Sequence, residues 1–314
     1  MAHEDDDTLG YDEDDEPTEV DLRPPLFATA SLRRDARGRT LDGRPPAPSV
    51  LMSQGSAGGT PARWQRPVHT IEGRLTGAAF THVGMVRSDN EDAYLVWPDA
   101  HLMVIADGMG GHQAGDVASR VAIECLRDHL VRGGVPMAIE AAQERVVDAV
   151  HAAHGQITTL SGASESLKGM GTTLVVLWII GDEALAVHVG DSRLYRARGG
   201  QLDQITGDHS LAMELKRRGI LDTQGMQAFR HKNVLRQELE GNESLKPDAA
   251  QFTVQRGDRF LLCTDGLSDL VDADRMRATL TGAQPPEEQA RELTEAALAE
   301  GGRDNITVVV AHID

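Results

Sequence analysis

Met103-Val-Ile-Ala-Asp107-Gly108 is a short apolar run that stops at an aspartate and a glycine. The pattern returns twice, in Val187-His-Val-Gly190-Asp191 and in Leu261-Leu-Cys-Thr-Asp265-Gly266. A fourth aspartate, Asp304, precedes a β-branched run, in Gly301-Gly-Arg-Asp-Asn-Ile-Thr-Val. Runs of this length bounded by Gly and Asp read as strands. In antiparallel pairing the end of one strand lies beside the start of its neighbour. The four aspartates are therefore expected to converge at one end of a sheet. Asn90-Glu91-Asp92-Ala-Tyr94 adds a carboxylate pair just before another short strand.

Outward from these runs, strand-like segments recur at Leu102–Ile105, Leu174–Ile180, Leu185–Val189, Arg259–Cys263 and Ile306–Val310. Two stretches between them carry apolar residues at helical spacing. One is marked by Val117, Val121, Cys125 and Leu130, the next by Ile139, Val146, Val147 and Val150. A late helix is expected from about Glu287 to Glu300. Strands cluster before and after the helix pair, which fits α+β better than a strict βαβ alternation.

The 314 residues carry a formal charge of −18, unevenly spread. Eleven carboxylates lie between Glu4 and Asp21, and without them the charge is −7. Residues 22–72 turn to Arg and Pro. Neither stretch has the apolar content to offset the entropy of ordering, so 1–72 is expected to be a disordered tail and 73–314 the folded domain. A mildly acidic domain disfavours nucleic-acid binding through a basic face. No run of 18 apolar residues exists, the longest being Leu174–Ile180, so no membrane span is expected. Two cysteines, Cys125 and Cys263, suggest a reducing compartment. The start of the chain is acidic where a secretory leader would be basic, so a cytoplasmic protein is expected.

An Asp-Gly after a strand is by itself ordinary turn chemistry. Repetition changes that reading, because clustered carboxylates raise one another's pKa or push the site apart. A hard divalent cation resolves the conflict, and carboxylate with water ligands favours Mg2+ or Mn2+ over zinc. Two such ions about 3.5–4 Å apart activate a water and neutralise a phosphoryl transition state.

Six motifs then stand in order: Gly84-Met-Val-Arg-Ser-Asp-Asn-Glu-Asp-Ala93, Ala106-Asp-Gly-Met-Gly-Gly-His112, Gly169-Met-Gly-Thr-Thr173, Gly190-Asp-Ser-Arg193, Cys263-Thr-Asp-Gly-Leu-Ser-Asp269 and Arg303-Asp-Asn-Ile-Thr-Val308. The chain resembles the metal-dependent PP2C-type (PPM) serine/threonine phosphatases, particularly bacterial ones, over about residues 76–312. The resemblance implies a four-layer α/β/β/α sandwich around two antiparallel sheets. It implies hydrolysis of phosphoserine and phosphothreonine by a metal-bridging hydroxide at a binuclear Mn2+ or Mg2+ site. Asp107 would bridge the ions, with the Gly108 carbonyl on one. Asp265 and Asp304 would complete one ion, and Asp92 the other, with Glu91 acting through water. Asp191 with Asp265 would hold a third, weaker ion. Arg87 would bind the substrate phosphate, its planar fork suiting two phosphoryl oxygens. Residues from about Asp208 to Arg236 fall where the family has a mobile flap. Phosphoprotein substrates in signalling, opposing Ser/Thr kinases, and a monomer are expected.

One departure concerns the proton donor. Met109 stands where the animal members carry a histidine taken as general acid. Bacterial relatives share the methionine; His112 and a metal-bound water are the alternatives. His188 and His209 are read as structural, without partners at metal-ligand spacing. Cys263 is read as core, since the Arg that a tyrosine-phosphatase thiol needs six residues later is Asp269. No Gly-x4-Gly-Lys-Ser/Thr loop exists, which excludes nucleoside triphosphate hydrolysis of that type. A catalytically dead relative and a sporulation-type anti-sigma regulator share the fold. The first is disfavoured by the intact Asp107, Asp265 and Asp304, the second because it would normally carry a sensor domain.

Overall fold

The structure is a computed structural model and describes residues 75–97, 100–110, 114–132, 136, 138–231, 234–240 and 245–314. The expected tail, residues 1–72, lies outside them, as does His112. The strands are β1 (Leu75–His82), β2 (Asp92–Trp97), β3 (Leu102–Met109), β4 (Gly171–Thr172), β5 (Leu174–Ile180), β6 (Glu183–Val189), β7 (Arg193–Arg198), β8 (Gln201–Gln204), β9 (Asp248–Thr253), β10 (Arg259–Cys263) and β11 (Ile306–Ile313). The helices are α1 (Ala114–Arg132), α2 (Ile139–Ala163), α3 (Leu211–Arg217), α4 (Thr223–Ala228), α5 (Asp265–Ser268), α6 (Ala273–Leu280) and α7 (Pro286–Ala299).

Two antiparallel sheets form. One runs β1-β11-β10-β7-β8; the other runs β2-β3-β5-β6-β9, with β4 against β3. Their central strands read as continuous apolar runs because both faces are covered. On β5, Leu174, Val176 and Trp178 pack with α1 and α2, while Val175, Leu177 and Ile179 face the other sheet. On β11, Ile306, Val308 and Val310 pack with α6 and α7, while Val309, Ala311 and Ile313 face inward. Successive side chains alternate faces, so each strand serves two cores. The result is helices, sheet, sheet, helices: the four-layer sandwich expected above.

The same alternation aims the site. On β2, Tyr94 and Val96 lie in the inter-sheet core, and on β3 so do Met103 and Ile105. Two residues back from Tyr94 is Asp92, and two residues on from Ile105 is Asp107. Both carboxylates therefore continue inter-sheet rows. The expected gathering of aspartates at one end of a single sheet needs correction. Asp92, Asp107 and Asp191 belong to β2, β3 and the end of β6, whereas Asp265 and Asp304 flank β10 and β11 in the other sheet. They meet between the sheets. Among the described residues, no helix is long and apolar enough to cross a membrane.

Candidate metal centre and phosphate site

Asp92 and Asp107 are register partners across the β2–β3 pair. The loop behind them leaves no room for side chains. A β-carbon on Gly108 would stand 2.2 Å from the Gly115 carbonyl oxygen and 2.5 Å from that of Glu91. The Gly108 N–H instead donates to the Glu91 carbonyl at 3.1 Å. Thr172 and Thr173 hold the Asp107 backbone. The Thr172 hydroxyl and the Thr173 N–H both donate to its carbonyl at 2.9 Å, and its own N–H donates to Thr173 Oγ1 at 3.0 Å. That is what the Gly-Met-Gly-Thr-Thr segment does.

From the other sheet, Thr264 at the end of β10 donates its hydroxyl to Asp92 Oδ2 at 3.0 Å. Its successor, Asp265, opens α5, and its charge raises the pKa of the Asp107 carboxyl. Arg87 reaches across the loop, Nη2 donating to Asp304 Oδ2 at 2.8 Å, with the guanidinium still half exposed.

Sequence reasoning missed Asn305 as more than a motif letter. Its side-chain oxygen accepts the Glu91 N–H at 2.8 Å, and its amide donates to the Val83 and Asp89 carbonyls, both at 2.9 Å. One buried side chain thus fastens the loop that carries Arg87 and Glu91 and leads into Asp92 to the turn that carries Asp304, just before β11. The signal was present in Asp304-Asn305, since a buried Asn must find partners. The partners are more than 200 residues away and could not be read.

The electrostatics follow from the crowding. Burial pushes the Asp92 carboxyl up to about 7, with Asp265 and Asp304 adding to it and hydrogen bonds from Thr307 and Thr264 opposing it. Burial, then Asp92, Asp265, Asp191 and Asp304, push Asp107 well above the usual range. Burial and Asp304 raise Asp265 to about 6, and burial and Asp265 raise Asp191 to about 7. Glu91 is also raised to about 7, chiefly by burial. Five aspartates and a glutamate thus share one region, with Arg87 the guanidinium that acts on Glu91 and Asp107 as well as on Asp304. Such an all-oxygen, mutually destabilised donor set fits hard divalent cations.

His188 and His209, read above as structural, have each other and Asp248 as neighbours in space. Their rings stack with centroids 4.6 Å apart, and with Asp248 they bring three potential ligand atoms within 4.8 Å of one another. The Gly190 N–H donates to His209 Nδ1 at 3.3 Å, which leaves the ring proton on Nε2, 3.2 Å from Asp248 Oδ2. His188 Nε2 donates to the Gly207 carbonyl at 3.1 Å. The two rings and Asp248 thus form a clasp between β6, β9 and the segment before α3, with His209 Nε2 beside the Asp248 carboxylate but without a hydrogen bond to it.

Residues 76–300 match the protein-family model described as protein phosphatase 2C. The chain belongs to that family. It is 38% identical over 243 residues to the serine/threonine protein phosphatase PstP of Mycobacterium tuberculosis, covering 76% of this chain and 45% of that protein. It therefore spans under half the length of that relative. The protein phosphatase PhpP of Streptococcus pneumoniae is 33% identical over 237 residues, 74% of this chain and 96% of PhpP. A crystal structure of the PstP catalytic domain in complex with two manganese ions superposes with a TM-score of 0.68 at 37% identity, covering 76% of this chain and 98% of that one.

Proposed function

We propose that this chain is a metal-dependent protein serine/threonine phosphatase, with its phosphatase domain at residues 73–314 and the preceding residues a tail outside the catalytic unit. The observation that carries the reading is the inter-sheet row of carboxylates around Asp92 and Asp107 with one guanidinium, Arg87, at its rim. Family membership and the two manganese ions of the PstP catalytic domain support it.

Asp92, Asp107, the Gly108 carbonyl, Asp265 and Asp304, with Glu91 nearby, would hold two Mn2+ or Mg2+ ions, and Asp191 with Asp265 a third. Ions bound there would lower the pKa of water for attack and neutralise the phosphoryl oxygens. The protein's own residues supply placement. The Arg87 fork takes two phosphoryl oxygens, exchanging part of its contact with Asp304 for the substrate. The Thr264 hydroxyl fixes the rotation of Asp92, and Thr172 and Thr173 fix the backbone of Asp107, so the acceptors are oriented before substrate arrives. Met109 carries no proton to give, so the leaving alkoxide takes its proton from another group.

The substrates are read as phosphoproteins of a signalling system opposed by serine/threonine kinases, the enzyme as a cytoplasmic monomer, and nucleic acid as no partner. Manganese-dependent release of phosphate from a phosphothreonine peptide, abolished by a chelator, tests the reading. A chain that binds manganese yet releases no phosphate from any phosphopeptide would leave it a binding module.

A further inference from the structure

The turn that leads into Arg87 is built rigidly yet presents apolar side chains to water. Met85 and Val86 are 68% and 70% exposed, and among the described residues the other exposed large apolar side chains are Ile220 and Val234. Two of these four stand side by side, immediately before the phosphate-site arginine.

Slack does not explain their exposure. The Met85 N–H donates to the Gly302 carbonyl at 2.7 Å, and the Gly84 N–H donates to His82 Nδ1 at 2.8 Å. Gly84 has φ +82°, and a β-carbon there would lie 2.2 Å from the Asp304 carbonyl oxygen. A β-carbon on Gly302 would meet Met85 Cγ at 3.0 Å, so the methionine stem lies directly over that glycine. Asn305 holds the preceding Val83 carbonyl at 2.9 Å. The backbone is fixed on both sides, and the side chains are displayed by it.

We propose that Met85 and Val86 form a specificity shelf for the substrate: they receive an apolar side chain two residues from the phosphorylated residue. This rests on the reading of Arg87 as the phosphate ligand. With the phosphate on Arg87, an extended substrate advances by about 3.3–3.6 Å per residue. Successive side chains of an extended chain alternate faces, so the second residue on, about 6.6–7.2 Å away, returns its side chain to the face of Arg87 and to the residues beside it. Burying part of such a side chain against Met85 and Val86 removes apolar area from water on both partners. An acidic neighbour is disfavoured at the same rim, where Asp89 is exposed and Asp304 partly so. The preferred substrate is thus a phosphoserine or phosphothreonine with an aliphatic residue two positions away.

The test uses the full chain, saturating Mn2+ and three substrates: p-nitrophenyl phosphate, and two phosphothreonine peptides that differ in carrying leucine or serine two residues before and two residues after the phosphoresidue. The expected result is a kcat/KM about fivefold higher for the leucine peptide. Met85→Ser with Val86→Ser should abolish that preference and leave turnover of p-nitrophenyl phosphate unchanged, which also reports an intact fold. A wild type without preference, or a double variant that keeps it, would overturn the shelf while leaving the phosphatase reading intact. Absence of turnover on all three substrates would remove both.

Discussion

Asp92 and Asp107 stand directly opposite each other across the β2–β3 ladder, two carboxylates where a strand pair ordinarily places complementary side chains. Like charges so placed destabilise a sheet. Both are held there by partners that orient them: Thr264 on Asp92, and Thr172 and Thr173 on the Asp107 backbone. On the proposed reading the fold tolerates local repulsion in return for a cation site.

Asp92→Asn removes one of the opposed charges and keeps an acceptor for Thr264. In a chelator the variant should melt about 2–4 °C above wild type, corresponding to roughly 1 kcal/mol for a domain of this size. Adding Mn2+ should raise the wild-type midpoint and leave the variant nearly unmoved. A variant less stable than wild type in chelator would show that the pair is not repulsive.

Arg87 contacts the substrate phosphate in the ground state as well as in the transition state on this account. Arg87→Ala should therefore raise KM about 10- to 100-fold, the usual size of a hydrogen bond to a charged group, and lower kcat less. Steady-state kinetics on a phosphopeptide decide it, and an unchanged KM would refute the role.

Asn305 makes three hydrogen bonds, to Glu91, Val83 and Asp89. Asn305→Ala leaves those backbone groups without their partner, at a cost of about 3 kcal/mol in urea unfolding. Because the loop also carries Arg87 and leads directly into Asp92, manganese affinity measured by calorimetry should fall with it. A variant of wild-type stability would mean the fastening is redundant.

His312 lies buried on β11, with Nε2 donating to Gln289 Oε1 at 2.8 Å. Burial, then the nearby Arg259 charge, push the ring down to about 4. The unfolded ring titrates near 6.5. Between those values the unfolded chain takes up a proton that the folded one refuses. The stabilisation is complete above about 6.5 and fades as pH falls toward 4, by about 3 kcal/mol in all. His312→Gln should flatten that part of the stability profile relative to wild type. Identical slopes for the two proteins between pH 6.5 and 4 would place the effect elsewhere.

The strands that could be read from sequence were those buried on both faces. Leu174–Ile180 and Arg259–Cys263 emerged with the expected bounds, because continuous apolar runs of that length have few other uses. The outer strands β8 and β9 escaped notice. Gln201–Gln204 and Asp248–Thr253 are largely exposed and carry little periodic signal. The aspartates were found because three strands ended alike. Their meeting between two sheets was not legible, since sheet membership is set by pairings such as β1 with β11, whose partners lie more than 200 residues apart. The His188–His209–Asp248 clasp was hidden for the same reason. It joins a strand, a loop and the opposite register position on β9, and no spacing in the chain announces it.

The central claim is that phosphate release depends on cations held by the inter-sheet aspartates, and Asp265 tests it most directly. Its charge raises the pKa of Asp92, Asp107 and Asp191. The measurement is kcat on a phosphothreonine peptide for wild type and Asp265→Asn, each at saturating Mn2+ and again in excess chelator, with circular dichroism to verify folding. The account predicts wild-type turnover with Mn2+, none in chelator, and a folded Asp265→Asn protein with kcat reduced by at least about 100-fold, the loss typical of removing one group that stabilises transition-state charge. Full turnover by Asp265→Asn, or wild-type turnover that survives the chelator, would contradict it.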